Sequence, residues 1–174
     1  MSRYRTPGNS EFVEALGWAV WNFLYLEETI VRWIWLLEPK SDLSGIRAGT
    51  AFTKGVELGR AAKGAGLPDD LYIDLQTWLR QYEVMVDRGR NALTHAHAYT
   101  EEHGPDGWKP GLAYTDPDRQ QHILARSPED LHVAAEAIEH LMLALSDLES
   151  RLQSHLQDDS RAVTSTASQP LLGE

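Results

Sequence analysis

The sequence predicts an all-α fold: an antiparallel up-down helical bundle of four to five helices, with a short irregular or hairpin excursion before the last helix. Three observations predict it. Long stretches place apolar residues at alternating spacings of four and three, which is the mark of a helix seam. Proline, serine and acidic residues sit where such helices should stop and start. The one stretch rich in turn residues and lacking that period, residues 100–126, falls just before the final helical segment.

Residues 1–9 read as a flexible leader, residues 10–156 as one helical domain and residues 157–174 as a disordered tail, the last because DDSRAVTSTASQPLLGE carries little to bury. The first helix is expected from Ser10, a plausible N-cap, to the stop at Pro39. Its seam is Phe12, Leu16, Ala19, Phe23, Leu26, Ile30, Trp33 and Leu37. Val13, Val20, Leu24, Val31 and Ile34 widen that stripe, so the helix should be central. Trp18, Trp21 and Trp35 lie off the seam, as part of a broader core or as a face for a partner chain, and a dimer interface is the favoured reading. Asn22, Glu27, Glu28 and Arg32 interrupt the apolar run, which argues for an amphipathic helix and against a membrane span. Glu27 and Glu28 could approach Arg90 across the bundle, although solvated positions are the expectation.

Residues 42–65 form a weaker helix, part of it loop. Gly45, Gly49, Gly55 and Gly59 each cost helix propensity, on the order of 1 kcal/mol against alanine, or permit close helix contact. Between residues 40 and 66, five lysines and arginines face two acids, and this excess reads as a solvated face. KGAG at 63–66 lacks the ending and the preceding strand of a phosphate loop. The third helix starts at Pro68, with Asp69 and Asp70 at its positive end. Its seam runs Leu71, Leu75, Trp78, Tyr82, Met85, Gly89 and Ala92, shrinking toward the C-terminal end. EEHGPDGWKPG is loop chemistry, and LAYTDPDRQQHIL reads as a short hairpin turning at TDPD. SPED at 127–130 supplies a serine cap, proline in the first turn and acids behind it. The closing helix follows through Leu131, Ala134, Ile138, Leu141, Leu145, Leu148 and Leu152.

Several classes of function are excluded or disfavoured. The chain has no cysteine, which removes disulfides, thiolate metal sites and cysteine nucleophiles. Its net charge of −10 does not favour nonspecific nucleic-acid binding. MSRYRTPGNSEF lacks the apolar core of a signal peptide, so a cytoplasmic location is expected.

The chemistry concentrates in RGRNALTHAHAYT, residues 88–100, at the end of the third helix. Arginine offers a permanently charged, planar fork of donors suited to phosphate. Histidine exchanges protons near neutral pH. One of each suffices to cleave RNA without metal: the histidine takes the 2′-hydroxyl proton and the arginine stabilises charge on the phosphate. Asn91 could orient either group. On a regular helix Asn91 and His95 share a face, whereas Arg90 and His95 are separated by about 140°. Either the helix frays after Thr94 or a second copy of the chain completes the site. The plain alternative is a pair of histidines capping a helix end. His95 and His97 could also share a metal, but no acid or third histidine stands at ligand spacing. His103, His122, His132, His140 and His155 read as surface or cap residues.

Arg90-Asn91, three residues and His95, near the end of a bundle helix, resemble the signature of the HEPN superfamily: an arginine, a polar residue and a histidine after four to six intervening positions. The likeness in layout covers residues 10–156, while its specific part is 90–99. The resemblance implies a metal-independent endoribonuclease without cofactor. It also implies a homodimer whose two motifs face one cleft, which would answer the angular problem. It further implies a toxin or phage-defence role, with RNA as substrate and a nucleotidyltransferase-type antitoxin as partner in one subset. In that subset a tyrosine two residues after the histidine is modified. Tyr99 follows His97 by two, so two registers fit, Arg90 with His95 or Arg90 with His97 and Tyr99. Asparagine after arginine with four intervening residues is the commoner family form and favours His95. Some superfamily members act only as binding modules, and a noncatalytic module holding a nucleotide, RNA or a protein is the alternative.

Overall fold

A computed structural model describes the backbone of residues 10–102, 108–115 and 118–166. The expected leader at 1–9, His103 and part of the TDPD turn lie outside the described residues. The chain order is α1 (Ser10–Leu37), α2 (Leu43–Ala48), α3 (Ala51–Ala65), α4 (Asp69–Met85), a π turn (Val86–Arg90) and α5 (Asn91–His95). Three strands follow, β1 (His97–Glu102), β2 (Trp108–Thr115) and β3 (Gln121–Ala125), and α6 (Pro128–Thr166) closes the chain. Four rods make the bundle: α1, α3, the continuous α4–π–α5 and α6.

Local chemistry sets the boundaries. α1 includes Ser10 as its first helical residue, not its cap, and ends two residues before Pro39. The expected weakness between 42 and 65 is a real break. Asp42 caps α2 by accepting from the Ser44 and Gly45 amides at 3.1 and 3.2 Å, and Gly49 ends it. Thr50 then caps α3 through the Thr53 amide at 3.2 Å. Gly66 turns the chain out of α3 with φ of +66°, a left-handed conformation that a Cβ disfavours. Before α6, Ser127 and Asp130 cap each other reciprocally. The Asp130 amide donates to Ser127 Oγ at 3.3 Å and the Ser127 amide to Asp130 Oδ2 at 3.0 Å.

The α4 rod runs against its neighbours. Tyr82 Oη donates to the Ala51 carbonyl at 3.0 Å, and Trp78 Nε1 donates to the Leu141 carbonyl at 2.9 Å. Arg151 on α6 reaches back to Asp74 and Asp70 at 2.6 and 2.8 Å. α1 instead runs parallel to α6, with Asn22 near Ala135 and Arg32 paired with Glu149. It also runs parallel to α3, with Glu27 paired with Lys54 and Glu38 with Arg60, because residues 38–50 double back along α1, where Arg47 meets Glu28. A Cβ on Gly55 would lie 3.0 Å from the Tyr82 ring, so this glycine seats α3 on α4. The main core joins all four rods around Trp33, Tyr82, Leu26, Leu75 and Leu145.

Three sequence expectations change. Where the pattern predicts a helix end and loop, His97–Glu102 pairs antiparallel with β2, so the excursion is a three-stranded sheet in the order β1-β2-β3. The third helix does not run unbroken, because Val86–Arg90 widens into a π turn in which the Asn91 amide bonds to the Val86 carbonyl. Val86, and not Met85, then takes the buried seam position. The last helix continues to Thr166, past the point where a disordered tail was expected at 157, and the remainder of that tail lies outside the described residues.

A smaller core of Phe12, Ala15, Leu112, Ala125 and Leu131, backed by Leu93 and Ala96, clamps the sheet to the start of α1 and of α6. This clamp positions the site, because it fixes β2 beside the end of α5.

Candidate functional site

A cavity of about 780 Å³ opens between the start of α3, the π turn, α5 and the end of β2. Arg90, Asn91 and His95 line it, together with Asp87, Phe52 and Tyr114 among others. Two breaks in helical regularity flank this stretch. The π turn ends at Arg90, and the helix ends at His95, where Ala96 turns extended. Turns of the π type within helices occur frequently at functional sites. The helix does not fray after Thr94, since His95 is still helical; Arg90 and His95 leave a regular helix about 140° apart and both line the one large cavity. Thr94 Oγ1 closes the final turn by donating to the Arg90 and Asn91 carbonyls at 3.0 and 3.3 Å.

Arg90 is the best anchored of these groups. Its side chain is only 28% exposed, with Nε 3.5 Å from Glu27 Oε1 and Nη1 3.5 Å from Asn91 Oδ1. Glu27 is buried, contrary to the expectation of a solvated position, and accepts a hydrogen bond from the equally buried Lys54 on its other oxygen, Oε2. Glu27 Oε1 has no hydrogen-bond partner. Beneath this cluster Tyr82 titrates well above the ordinary tyrosine range, first because it is buried and then because the Glu27 carboxylate opposes a second negative charge. Asn91 is half-buried and His95 exposed.

His97 and Tyr99 are placed elsewhere. His97 stands on β1 with Nε2 3.3 Å from Gln121 Nε2 on β3 and does not line the cavity. Tyr99 lies across Gly111 of β2, where a Cβ would come within 2.4 Å of its ring, and its hydroxyl is buried without a partner. So placed, that hydroxyl is closed to a modifying enzyme or a substrate. The geometry groups Arg90 with His95 rather than with His97. Among the described residues, no three His, Asp or Glu side chains gather as a metal site.

The site draws on residues that sequence reasoning did not select. The charge pattern predicts a solvated position for Lys54, yet it sits on the Ala51–Leu58–Ala61 seam of α3. Glu27 likewise falls between Phe23 and Ile30 on the buried side of α1. A charge on an apolar seam was the available signal in both cases. Tyr114 comes in through β2, where its ring stacks on His122 at 5.2 Å. Of the other basic residues in that stretch, Arg47 is paired with Glu28 and Arg60 with Glu38 and Glu57.

A second, smaller notch on the far side of Arg90 is lined by Val20, Phe23, Leu24, Glu27, Leu93 and Thr94. It adjoins an exposed apolar face of α1, where Trp18, Trp21, Leu24 and Tyr25 are each more than half exposed. Among the described residues no helix is long and apolar enough to cross a membrane. Comparison with protein-family models, curated proteins and solved structures finds no match to this chain.

Proposed function

We propose that the protein is a metal-independent endoribonuclease of HEPN type, acting as a toxin or a phage-defence component. The observation that carries the reading is the meeting of Arg90, Asn91 and His95 at one cavity, immediately after a π turn. His95 takes the proton from a ribose 2′-hydroxyl, whose oxygen attacks the adjacent phosphorus. Arg90 stabilises the charge that builds on the phosphoryl oxygens, and Asn91 orients the guanidinium it touches. The bond to the 5′-oxygen breaks, and that oxygen takes a proton from water in the open cavity, while His95 returns its own proton to solvent. The products are a 2′,3′-cyclic phosphate and a 5′-hydroxyl. Phe52 and Tyr114 supply aromatic faces at the rim on which unpaired bases can stack.

Homodimerisation belongs to the same proposal. The exposed tryptophans of α1 beside the Arg90 notch support a partner copy packed on that side. An antitoxin of nucleotidyltransferase type is proposed as the controlling partner, acting by a route other than the buried Tyr99 hydroxyl. A second reading, a noncatalytic module holding a nucleotide or an RNA end in the same cavity, draws support from Glu27, which offsets part of the charge on Arg90.

The test is product chemistry. A short RNA and its 2′-O-methyl counterpart are incubated with the protein in EDTA and the ends read by mass spectrometry. Cyclic phosphate ends from the RNA alone are expected. Cleavage of the methylated strand, or none of either, contradicts the mechanism.

A further inference from the structure

We infer that Glu27 is a positioning residue for Arg90. Its buried carboxylate, anchored on one oxygen by Lys54, holds the Nε edge of the guanidinium so that the other N–H groups face the cavity. The inference rests on the phosphate-binding role given to Arg90 above.

The argument begins with burial. Glu27 and Lys54 are 6% and 7% exposed, and a buried charge persists only with close partners. Lys54 alone would satisfy one oxygen, and Oε2 has that bond. Oε1 is equally buried and makes no hydrogen bond, yet Arg90 Nε lies 3.5 Å away. That distance gives an ion pair short of hydrogen-bonding contact, and a slight inward movement of Arg90 closes it. One carboxylate between two cations leaves the cluster with one net positive charge, at a cavity wall where Arg90 is its exposed member. A phosphate oxygen on the Nη edge would balance that charge while Glu27 keeps the Nε edge. The fork geometry of arginine suits such a division, since its donors lie in one plane with two usable edges. Lys54 fixes the carboxylate so that it cannot swing to follow Arg90 outward.

A merely structural Glu27 would stabilise Lys54 and leave anion binding alone. A merely electrostatic one would weaken anion binding by its charge. Glu27→Asp separates these roles, because it keeps the charge and withdraws the carboxylate by one methylene. The measurement is titration of the full-length protein with inorganic phosphate, followed by NMR, for wild type, Glu27→Asp, Arg90→Ala and the double variant. Positioning predicts about tenfold weaker phosphate binding in Glu27→Asp and no further loss when it is added to Arg90→Ala. Unchanged affinity in folded Glu27→Asp, or an equal loss in the Arg90→Ala background, overturns the inference. Should Glu27→Asp not fold, Glu27→Gln decides. Positioning predicts weaker binding even though a negative charge is gone, and tighter binding overturns the inference. Wild type that binds phosphate through Arg90 and Glu27 but does not cut RNA supports this inference while removing the nuclease reading. Phosphate binding indifferent to Arg90→Ala removes both.

Discussion

Two neighbouring glutamates on α1 meet opposite fates. Glu28 faces water and takes the exposed Arg47 as its partner, which holds its carboxyl below the ordinary carboxylate range mainly through direct hydrogen bonding. Glu27, one residue earlier and about 100° around the helix, is sealed inside with Lys54 and Arg90. The residue type, the helix and the sign of the partner are the same, yet the energetic meaning differs. An exposed pair trades hydration for a weak, screened attraction. A buried pair has already lost its hydration, so removal of one member strands the other. Interior charge is costly, and here it borders the candidate site.

Replacing each glutamate by alanine tests that contrast most severely. Glu27→Ala should cost roughly 3–5 kcal/mol, because it strands Lys54 in the core. Glu28→Ala should lower the urea midpoint only slightly, by less than about 1 kcal/mol in stability. Equal effects of the two would remove the contrast. Tyr82 lies beneath the buried cluster, and Tyr82→Phe should cost about 1–2 kcal/mol through the Ala51 carbonyl left without its donor. The same variant carries a pH signature. The folded-state pKa of Tyr82 is raised, so its contribution is complete below about pH 10 and is lost as pH rises beyond that value. Alkaline melts of the wild type should fall more steeply than those of Tyr82→Phe, and parallel curves would argue that Tyr82 is not sealed. Two glycines on α3 give the next effect in size. Gly55→Ala presses on the Tyr82 ring beside Lys54 and should destabilise, by about 1 kcal/mol or more. Gly59→Ala meets Leu79 at 3.5 Å, an ordinary contact, and should gain up to about 1 kcal/mol in helix propensity. Smallest is the acid response of the outer pair. The Glu28 carboxyl is depressed in the folded state, so its contribution is present above the ordinary carboxylate range and disappears as pH falls through the lowered value. A wild-type acid transition no steeper than that of Glu28→Gln would show the pair to be inert.

The same contrast marks how far the sequence could be read. Seams with spacings of three and four placed α1, α4 and α6, because a wide apolar stripe leaves little choice of face. Asp42, Thr50 and Ser127 do locally what their side chains suit them for, and SPED announced the start of α6. Arg90, Asn91 and His95 were found from residue chemistry and spacing. The π turn was not, since it depends on how α4 seats against α3 and the sheet, and Gly89 alone hinted at a weak point in the helix. β1 was missed because HAYTEE becomes a strand only with β2 beside it. Glu27 was placed in solvent because the pattern gives a residue's angle on its own helix but not which neighbour covers that angle.

Cleavage of a labelled mixed RNA in EDTA is the most direct test of the central claim, with wild type beside Arg90→Ala, His95→Ala and His97→Ala. The cavity geometry predicts that wild type and His97→Ala cut while Arg90→Ala and His95→Ala do not, with all three variants within about 1–2 kcal/mol of wild-type stability. Cleavage that survives loss of Arg90 or His95, or that disappears only with His97, would contradict it.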